Sequence, residues 1–196
     1  LKQNGFTGDI IPWTRGVDRT IFQPVTRSNS TNTVLVCVSR VSKEKNLEDF
    51  FELDYPGARK IMVGDGPMRE KYQEQYPDVE FVGFKRGEEL AKYYQMADVF
   101  VFPSKTDTFG LVLLEAMACG TPVAAYPVTG PIDVLGNSKA GAMHEDLREA
   151  CIEALKIPRE VARAHAEKFS WRAASEEFAR HLKPVPTPEV HVTAIA

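Results

Sequence analysis

Short apolar runs alternate with amphipathic stretches along most of this chain. The runs are rich in Val, Ile and Phe and have the length of buried strands, whereas the stretches between them carry apolar residues every three or four positions, as helices do. Strands that alternate with single helices are typical of βαβ units and predict an α/β fold with a doubly wound parallel sheet. The predicted strands are 33–39, 60–63, 79–82, 99–102 and 123–125.

The amphipathic stretches predict helices on both sides of this sheet and a helical layer at the end of the chain. Because single helices separate the strands, the fold class is Rossmann-like, with extra C-terminal helices. Ser170 is the predicted N-cap of the last helix, since its hydroxyl can accept a backbone N–H. The predicted helices are 46–53, 67–76, 88–96, 110–118, 146–155, 158–169 and 171–182.

Composition narrows the classes of function. The 196 residues, 43% hydrophobic and 26% charged, suffice for one buried core. Lys and Arg number 24 against 27 Asp and Glu, which gives a net charge of −3, and no basic run occurs, so nucleic-acid binding is not expected. No apolar stretch reaches transmembrane length and the first residues lack the apolar core of a signal peptide, so a cytoplasmic protein is predicted.

Metal and cofactor chemistry is not expected either. The three cysteines and four histidines lack the spacing of metal ligands, and no Asp-x-Asp pair occurs. The cysteines lie in apolar segments and are predicted to be small buried side chains. We therefore predict no metal site and no bound cofactor.

The segment 103–122 places two carboxylates around a helix that follows an apolar strand. Asp107 falls in the strand-to-helix turn and Glu115 within the helix, which is predicted to turn it toward the same cleft. Free backbone N–H groups and the positive end of the helix dipole suit a diphosphate at this turn. The predicted turn is 105–109, and the free N–H groups are those of Phe109, Gly110 and Leu111. An ordinary βα unit with a capping Asp107 and a solvated Glu115 is the alternative interpretation.

Two cations follow the first predicted strand. Arg40 and Lys45 are expected at the same sheet edge as Asp107, because the carboxyl ends of parallel strands share one edge. Fixed cations there could neutralise a diphosphate. Solvated loop charges are the alternative interpretation of both residues.

Two further strand ends are candidates for a nucleotide site. Gly64 and Gly66 open the helix after the second strand, yet Arg69 stands where a G-x-G-x-x-G motif needs its third Gly, so a dinucleotide-dependent oxidoreductase is disfavoured. A tight strand-to-helix turn is the alternative explanation of these glycines. Phe84 and Lys85 end the third strand, where a Phe is otherwise a core residue.

These motifs occur in the order found in the group 1 (family 4) retaining glycosyltransferases of the GT-B fold. Segment 103–122 resembles their E-x(7)-E followed by Ala-Met-Ala-x-Gly-x-Pro-Val, with Asp107 and Glu115 at the acidic positions. Segment 38–46 resembles V-G-R-L-x-x-x-K-[GN], with Ser39 in place of the usual Gly. Segment 10–24 is similar to the interdomain segment of that family. The chain therefore resembles the C-terminal, donor-binding half of such an enzyme.

The resemblance implies a role for each site residue. Arg40 and Lys45 would hold the pyrophosphate of a nucleoside-diphosphate sugar and stabilise the departing nucleotide. Asp107 would bind the outer hydroxyls of the sugar and act with these cations in catalysis, and Glu115 would bind the ribose. The family more often has Glu at the Asp107 position. Residues Gly64 and Gly66 would line the nucleotide cleft, Phe84 and Lys85 would contact the base, and Thr108, Phe109, Gly110 and Leu111 would bind the phosphates.

The resemblance also implies a domain organisation and partners. Residues 1–26 would be the end of a missing N-terminal acceptor domain and the interdomain segment, 27–183 the nucleotide-sugar-binding domain, and 184–196 a flexible tail. The donor would be GDP-mannose or a UDP-sugar, and the acceptor would be a glycan or a lipid. The full-length protein would be attached peripherally to a membrane. Alone, the chain is expected to be inactive in transfer. A noncatalytic nucleotide-sugar-binding module or an isolated fragment is the alternative, and the oligomeric state stays open.

Overall fold

The centre of the fold is a six-stranded parallel sheet with the strand order β3-β2-β1-β4-β5-β6. The computed structural model describes residues 2–8, 10–11, 13–27 and 32–183. The predicted Rossmann-like α/β fold is confirmed. The strands are β1 (Val34–Val38), β2 (Arg59–Val63), β3 (Val79–Gly83), β4 (Val99–Phe102), β5 (Val123–Ala125) and β6 (Gly141–Met143).

Helices cover both faces of this sheet. Val36 of β1 packs in a core with residues of α3, α4, α5 and α7, whereas Leu35 and Cys37 pack on the other face with α1, α2 and α6. A strand buried on both faces needs apolar side chains at every position, which explains the unbroken apolar run of β1. The helices are α1 (Glu48–Phe51), α2 (Arg69–Gln75), α3 (Gly87–Met96), α4 (Leu111–Ala118), α5 (Thr129–Leu135), α6 (Leu147–Ala154), α7 (Arg159–Ala166) and α8 (Trp171–Arg180).

One α-helix and one strand were not predicted. Helix α5 and strand β6 lie in a part of the chain where the apolar pattern is too short to indicate either. The helix predicted from residue 46 begins at Glu48, because Asn46 has the left-handed conformation (φ 52°) that ends a short 3-10 turn over Lys43–Lys45. Ser170 caps α8 as predicted, with its hydroxyl accepting from the Ala173 amide. The predicted flexible tail, 184–196, lies outside the described residues.

The segment before the sheet is fixed to the last helix. Trp13 Nε1 donates to the Ala174 carbonyl at 3.0 Å, and the Val17 amide donates to the Phe169 carbonyl at 3.1 Å. Gly16 lies so close to α8 that a Cβ there would be 2.1 Å from the Trp171 amide nitrogen. The boundary predicted after residue 26 stays a prediction, but residues on its two sides are in contact.

The strand order reverses between β1 and β4. The chain runs outward from β1 to β2 and β3, then returns to the other side of β1 with β4. The chain leaves β1 for α1 on one face of the sheet and leaves β4 for α4 on the other face. This reversal point at the carboxyl edge is where open α/β sheets bind ligands.

Candidate functional site

A cleft of about 700 Å³ opens at the carboxyl edge of the sheet, beside the reversal point. We call it the central cleft. It is bounded by the ends of β1, β2 and β3 and by helices α3 and α4. Five residues predicted from the sequence line it: Arg40, Gly64, Phe84, Lys85 and Glu115. The structure thus brings together residues that are up to 75 positions apart in the sequence.

Glu115 is a partly buried carboxylate in the wall of the central cleft. The hydroxyl of Tyr94, a fully buried residue of α3, donates to Glu115 Oε2 at 2.9 Å. Burial raises the pKa of the Glu115 carboxyl, and the hydrogen bond from Tyr94 opposes part of this rise. A carboxylate held through one oxygen keeps the other available to ligand hydroxyl groups.

Arg40 supplies positive charge to the same cleft. Its guanidinium is exposed and forms no hydrogen bond or salt bridge with any residue that the structure describes. Lys85 is a half-buried residue of the same lining, beside Phe84, which is 68% exposed. An exposed Phe at a strand end is not a core residue here, so its ring is free to stack on a planar ligand.

Lys45 and Asp107 form an ion pair next to the central cleft, outside its lining. Lys45 Nζ lies 2.7 Å from Asp107 Oδ1, and the side chains are 22% and 24% exposed. Lys45 follows β1 and Asp107 follows β4, so the pair spans the point where the strand order reverses. The predicted proximity of these two residues is confirmed.

The N-terminus of α4 leaves backbone donors free. Gly110 precedes the helix with φ 79°, a conformation that favours glycine. The amides of Phe109 and Gly110 donate to no other group in the described part of the chain. Thr108 and Leu111 are exposed, and Phe109 packs partly against the core. None of these four residues lines the central cleft itself.

The two glycines after β2 are required by the chain that leaves β1. A Cβ on Gly64, whose φ is 143°, would lie 1.8 Å from the Ser39 carbonyl oxygen. A Cβ on Gly66 would lie 2.4 Å from the Val41 carbonyl oxygen. Gly64 lines the central cleft, whereas Gly66 lies outside its lining. Both glycines allow the loops after β1 and β2 to pack together, and this keeps Arg40 beside Gly64.

Several cleft residues were not predicted. Ile21 and Phe22 are two of them, because the segment before β1 forms part of the wall. Tyr94, which bonds to Glu115 without lining the cleft, was not predicted either. The Phe22 ring packs edge-on against Tyr94 at 6.0 Å, and the Phe22 carbonyl accepts from Arg163 Nη1 at 3.1 Å. An apolar pair just before a proline-containing turn was the available signal for Ile21 and Phe22.

The described ranges contain neither a cluster of potential metal ligands nor a membrane-spanning helix. No three His, Cys, Asp or Glu side chains there come together as potential metal ligands. Within the same ranges, none of the helices has both the length and the apolar character that crossing a bilayer requires.

The sequence profile of the glycosyl transferases group 1 family matches residues 18–169. The chain belongs to the group 1 glycosyltransferases. It is 32% identical over 194 residues to a sulfoquinovosyl transferase of Arabidopsis thaliana, and the match covers 85% of this chain and 38% of that protein. It is 34% identical over 153 residues to a GDP-mannose-dependent alpha-mannosyltransferase of Corynebacterium glutamicum, and that match covers 73% of this chain and 37% of that protein.

A solved structure supports the same assignment. This group 1 glycosyltransferase chain superimposes on a sucrose-phosphate synthase from Thermosynechococcus elongatus with a TM-score of 0.72 and 26% sequence identity. The match covers 85% of this chain and 50% of the synthase. The chain spans less than two fifths of the length of the two curated relatives, and the match is consistent with the C-terminal donor-binding domain of a GT-B enzyme.

Proposed function

We propose that the central cleft and the adjoining Lys45–Asp107 pair bind a nucleoside-diphosphate sugar, and that the chain is the donor-binding domain of a retaining glycosyltransferase. One observation carries this proposal. Arg40, whose guanidinium forms no hydrogen bond or salt bridge within the described residues, and Glu115, a partly buried carboxylate, line a single cleft at the point where the strand order reverses. A cation for a diphosphate and an acceptor for ribose hydroxyls are the two groups that a nucleotide sugar needs there.

The chemistry of sugar transfer fits these charges. When the bond between the sugar and the diphosphate of the donor breaks, negative charge develops on the departing diphosphate. Arg40, Lys45 and the free amides at the N-terminus of α4 supply fixed positive charge and dipoles, which stabilise that charge without reorganisation. Asp107 accepts hydrogen bonds from the outer hydroxyls of the sugar, and its place in the loop between β4 and α4 supports this role.

The base and the remaining partners follow from the same assignment. The exposed Phe84 ring and Lys85 contact the base, and the donor is GDP-mannose or a UDP-sugar. The acceptor is a glycan or a lipid held by an N-terminal acceptor domain, so the chain alone is inactive in transfer. We further propose that the reaction needs no metal ion and takes place in the cytoplasm, with peripheral attachment of the full-length protein to a membrane.

Calorimetric titration of the chain with GDP, UDP and ADP, followed by the matching sugar nucleotides, tests the proposal. One base should be preferred, and Arg40→Ala and Glu115→Ala should each weaken binding by at least tenfold. Arg172→Ala is the matched control, because Arg172 is an exposed arginine of α8 away from the cleft. Absence of binding to every nucleotide, or equal binding by Arg40→Ala and the control, would overturn the proposal.

A further inference from the structure

Asp49 of α1 is the centre of a polar cluster behind the Lys45–Asp107 pair. Its Oδ2 atom accepts hydrogen bonds from Asn46 Nδ2 at 2.5 Å and from the Tyr126 hydroxyl at 2.6 Å, and Lys105 Nζ lies 3.4 Å away. We call these four residues the Asp49 cluster. One carboxylate oxygen therefore serves three donors that come from three separate segments of the chain.

Two of those segments carry the residues of the ion pair. Asn46 directly follows Lys45, and Lys105 lies two positions before Asp107. The third segment, which contains Tyr126, follows the last residue of β5 and adds a fixed point on the sheet. The Asp49 cluster thus ties the loop after β1 to the loop after β4, one residue away from Lys45 and two away from Asp107.

Further bonds run between the same two loops. Asn46 Nδ2 also donates to the Pro103 carbonyl at 3.1 Å, and Thr106 Oγ1 donates to the Glu44 carbonyl at 3.1 Å. Asn46 has a φ of 52°, which is the left-handed conformation and is maintained only where surrounding contacts favour it. That conformation sets the direction of the chain immediately after Lys45.

The negative charge of Asp49 is balanced by the ammonium group of Lys105. Lys105 Nζ lies 4.2 Å from the centre of the Tyr126 ring, so the ammonium group contacts both the ring and the carboxylate. Burial raises the pKa of Asp49, but hydrogen bonds from Tyr126 and Asn46 and the charge of Lys105 together hold it below its ordinary value. The carboxylate therefore remains ionised at neutral pH and keeps all three donors.

We propose that Asp49 is a positioning residue that fixes Lys45 and Asp107 relative to each other, and that Tyr126 acts through it. The inference rests on the proposed function of that pair in donor binding. Asp49 forms no hydrogen bond or ion pair with either residue of the pair in the described structure; it acts through its bonds to the Asn46 side chain and to Lys105. Because binding geometry is sensitive to displacements of about 1 Å, loss of this tie weakens donor recognition even when the fold persists.

Two conservative variants test the proposal. Asp49→Asn removes the charge at nearly constant volume, and Tyr126→Phe removes a single hydroxyl while keeping the ring beneath Lys105. Each should weaken the affinity for the preferred nucleoside diphosphate about three- to tenfold, which corresponds to one net hydrogen bond. Tyr76→Phe is the matched control, because the Tyr76 hydroxyl donates to Glu52 at 2.7 Å in the same kind of bond remote from the pair. The control should bind as the unaltered chain does.

A double-mutant comparison separates positioning from general destabilisation. In a Lys45→Ala background, Asp49→Asn should have no further effect on diphosphate affinity, because the cation that Asp49 positions is gone. An undiminished effect in that background would overturn the proposal, and so would unchanged affinity in both single variants.

An unfolding measurement tests the inference without any nucleotide. The coupling between Lys45→Ala and Asp107→Ala in urea unfolding should fall by at least half in an Asp49→Asn background. Unchanged coupling would overturn the inference. If the unaltered chain binds no nucleotide, the proposed function is wrong, and the unfolding experiment alone decides the role of Asp49. If Arg40→Ala abolishes binding but Asp49→Asn does not weaken it, only the proposed role of Asp49 is wrong.

Discussion

The hydroxyl of Tyr94 and the carboxylate of Glu115 join helices α3 and α4 through a 2.9 Å hydrogen bond at the wall of the central cleft. Tyr94 is fully buried, so its hydroxyl cannot turn to water. The bond fixes one oxygen of Glu115 and thereby the direction in which the other oxygen is presented. Glu115 thus depends for its orientation on a residue that contacts no ligand-accessible surface.

Tyr94→Phe should weaken nucleotide binding about five- to tenfold, because the variant leaves a partly buried carboxylate without its donor. The missing hydroxyl also allows the Glu115 side chain to rotate away from the cleft. Calorimetric titration checks this result, with Tyr76→Phe as the control for loss of a tyrosine–carboxylate bond elsewhere. Equal affinity of the two variants would show that Glu115 does not need Tyr94.

Glu115→Gln should change the dependence of stability on pH. Burial raises the pKa of the Glu115 carboxyl in the folded chain, so its contribution to stability is complete below the ordinary value of 4.5 and is lost as pH rises through the folded pKa. Glutamine stays neutral and avoids this loss. The free energy of unfolding of the variant, minus that of the unaltered chain, should therefore increase from pH 4 to pH 8 in urea titrations. A difference that does not vary with pH would contradict this expectation.

Asp107→Asn should tighten the binding of a nucleoside diphosphate that lacks a sugar, about two- to fivefold. The variant removes the partner of Lys45 and a negative charge that repels the diphosphate. The matching sugar nucleotide should gain less, because it loses the carboxylate proposed to hold its hydroxyls. Both affinities are measured by calorimetry.

The control for this variant is Asp98→Asn. Asp98 pairs with Arg27 at 2.9 Å with similar burial, but it precedes β4 and so lies at the opposite edge of the sheet. Its substitution should leave nucleotide affinity unchanged. Weaker binding of the sugar-free diphosphate by Asp107→Asn would contradict the proposed division of roles within the ion pair.

Arg159→Ala should lower the free energy of unfolding by about 2–4 kcal/mol, because several partly buried carbonyl groups lose their donor. Arg159 donates to the Ala97 carbonyl at 2.7 Å and to the Cys119 carbonyl at 3.1 Å, which lie at the C-terminal ends of α3 and α4. A cation also suits the negative ends of two helix dipoles. Urea unfolding checks the loss, and Arg172→Ala, which removes an exposed arginine, should show no change. A similarly small effect of both variants would contradict the stated role of Arg159.

The sequence predicted β4 and α4 well because their signals are local. An unbroken apolar strand, a glycine at the turn and a run of strong helix formers agree with one another. Helix α5 lacks such signals, since it contains Gly130 and Pro131, and its position depends on a tertiary contact. A Cβ on Gly130 would lie 2.8 Å from the Asp107 carbonyl oxygen, so the helix packs directly against that loop. Only the folded chain provides that contact.

The site residues divide in the same way. Arg40 and Glu115 could be assigned to one cleft because parallel strands end at a common edge. The residues that orient the site could not be predicted from the sequence. Tyr94 is 21 positions from Glu115, and Tyr126 is 77 positions from Asp49. Which side of a helix faces a given carboxylate depends on how whole elements pack, and the periodicity of one element does not contain that information.

The Lys45–Asp107 pair has a consequence for selectivity. In the free chain each charge already has a partner, so a ligand gains little from either charge unless it replaces both partners at once. A free phosphate can pair with the ammonium group of Lys45, but the carboxylate of Asp107 is then left without a partner. A free sugar can bind to the carboxylate, but the ammonium group is then left without one. A molecule in which a diphosphate and a sugar are covalently joined satisfies both. Under the proposed function, the pair therefore favours a ligand that carries a diphosphate and a sugar together over a ligand that carries only one of them.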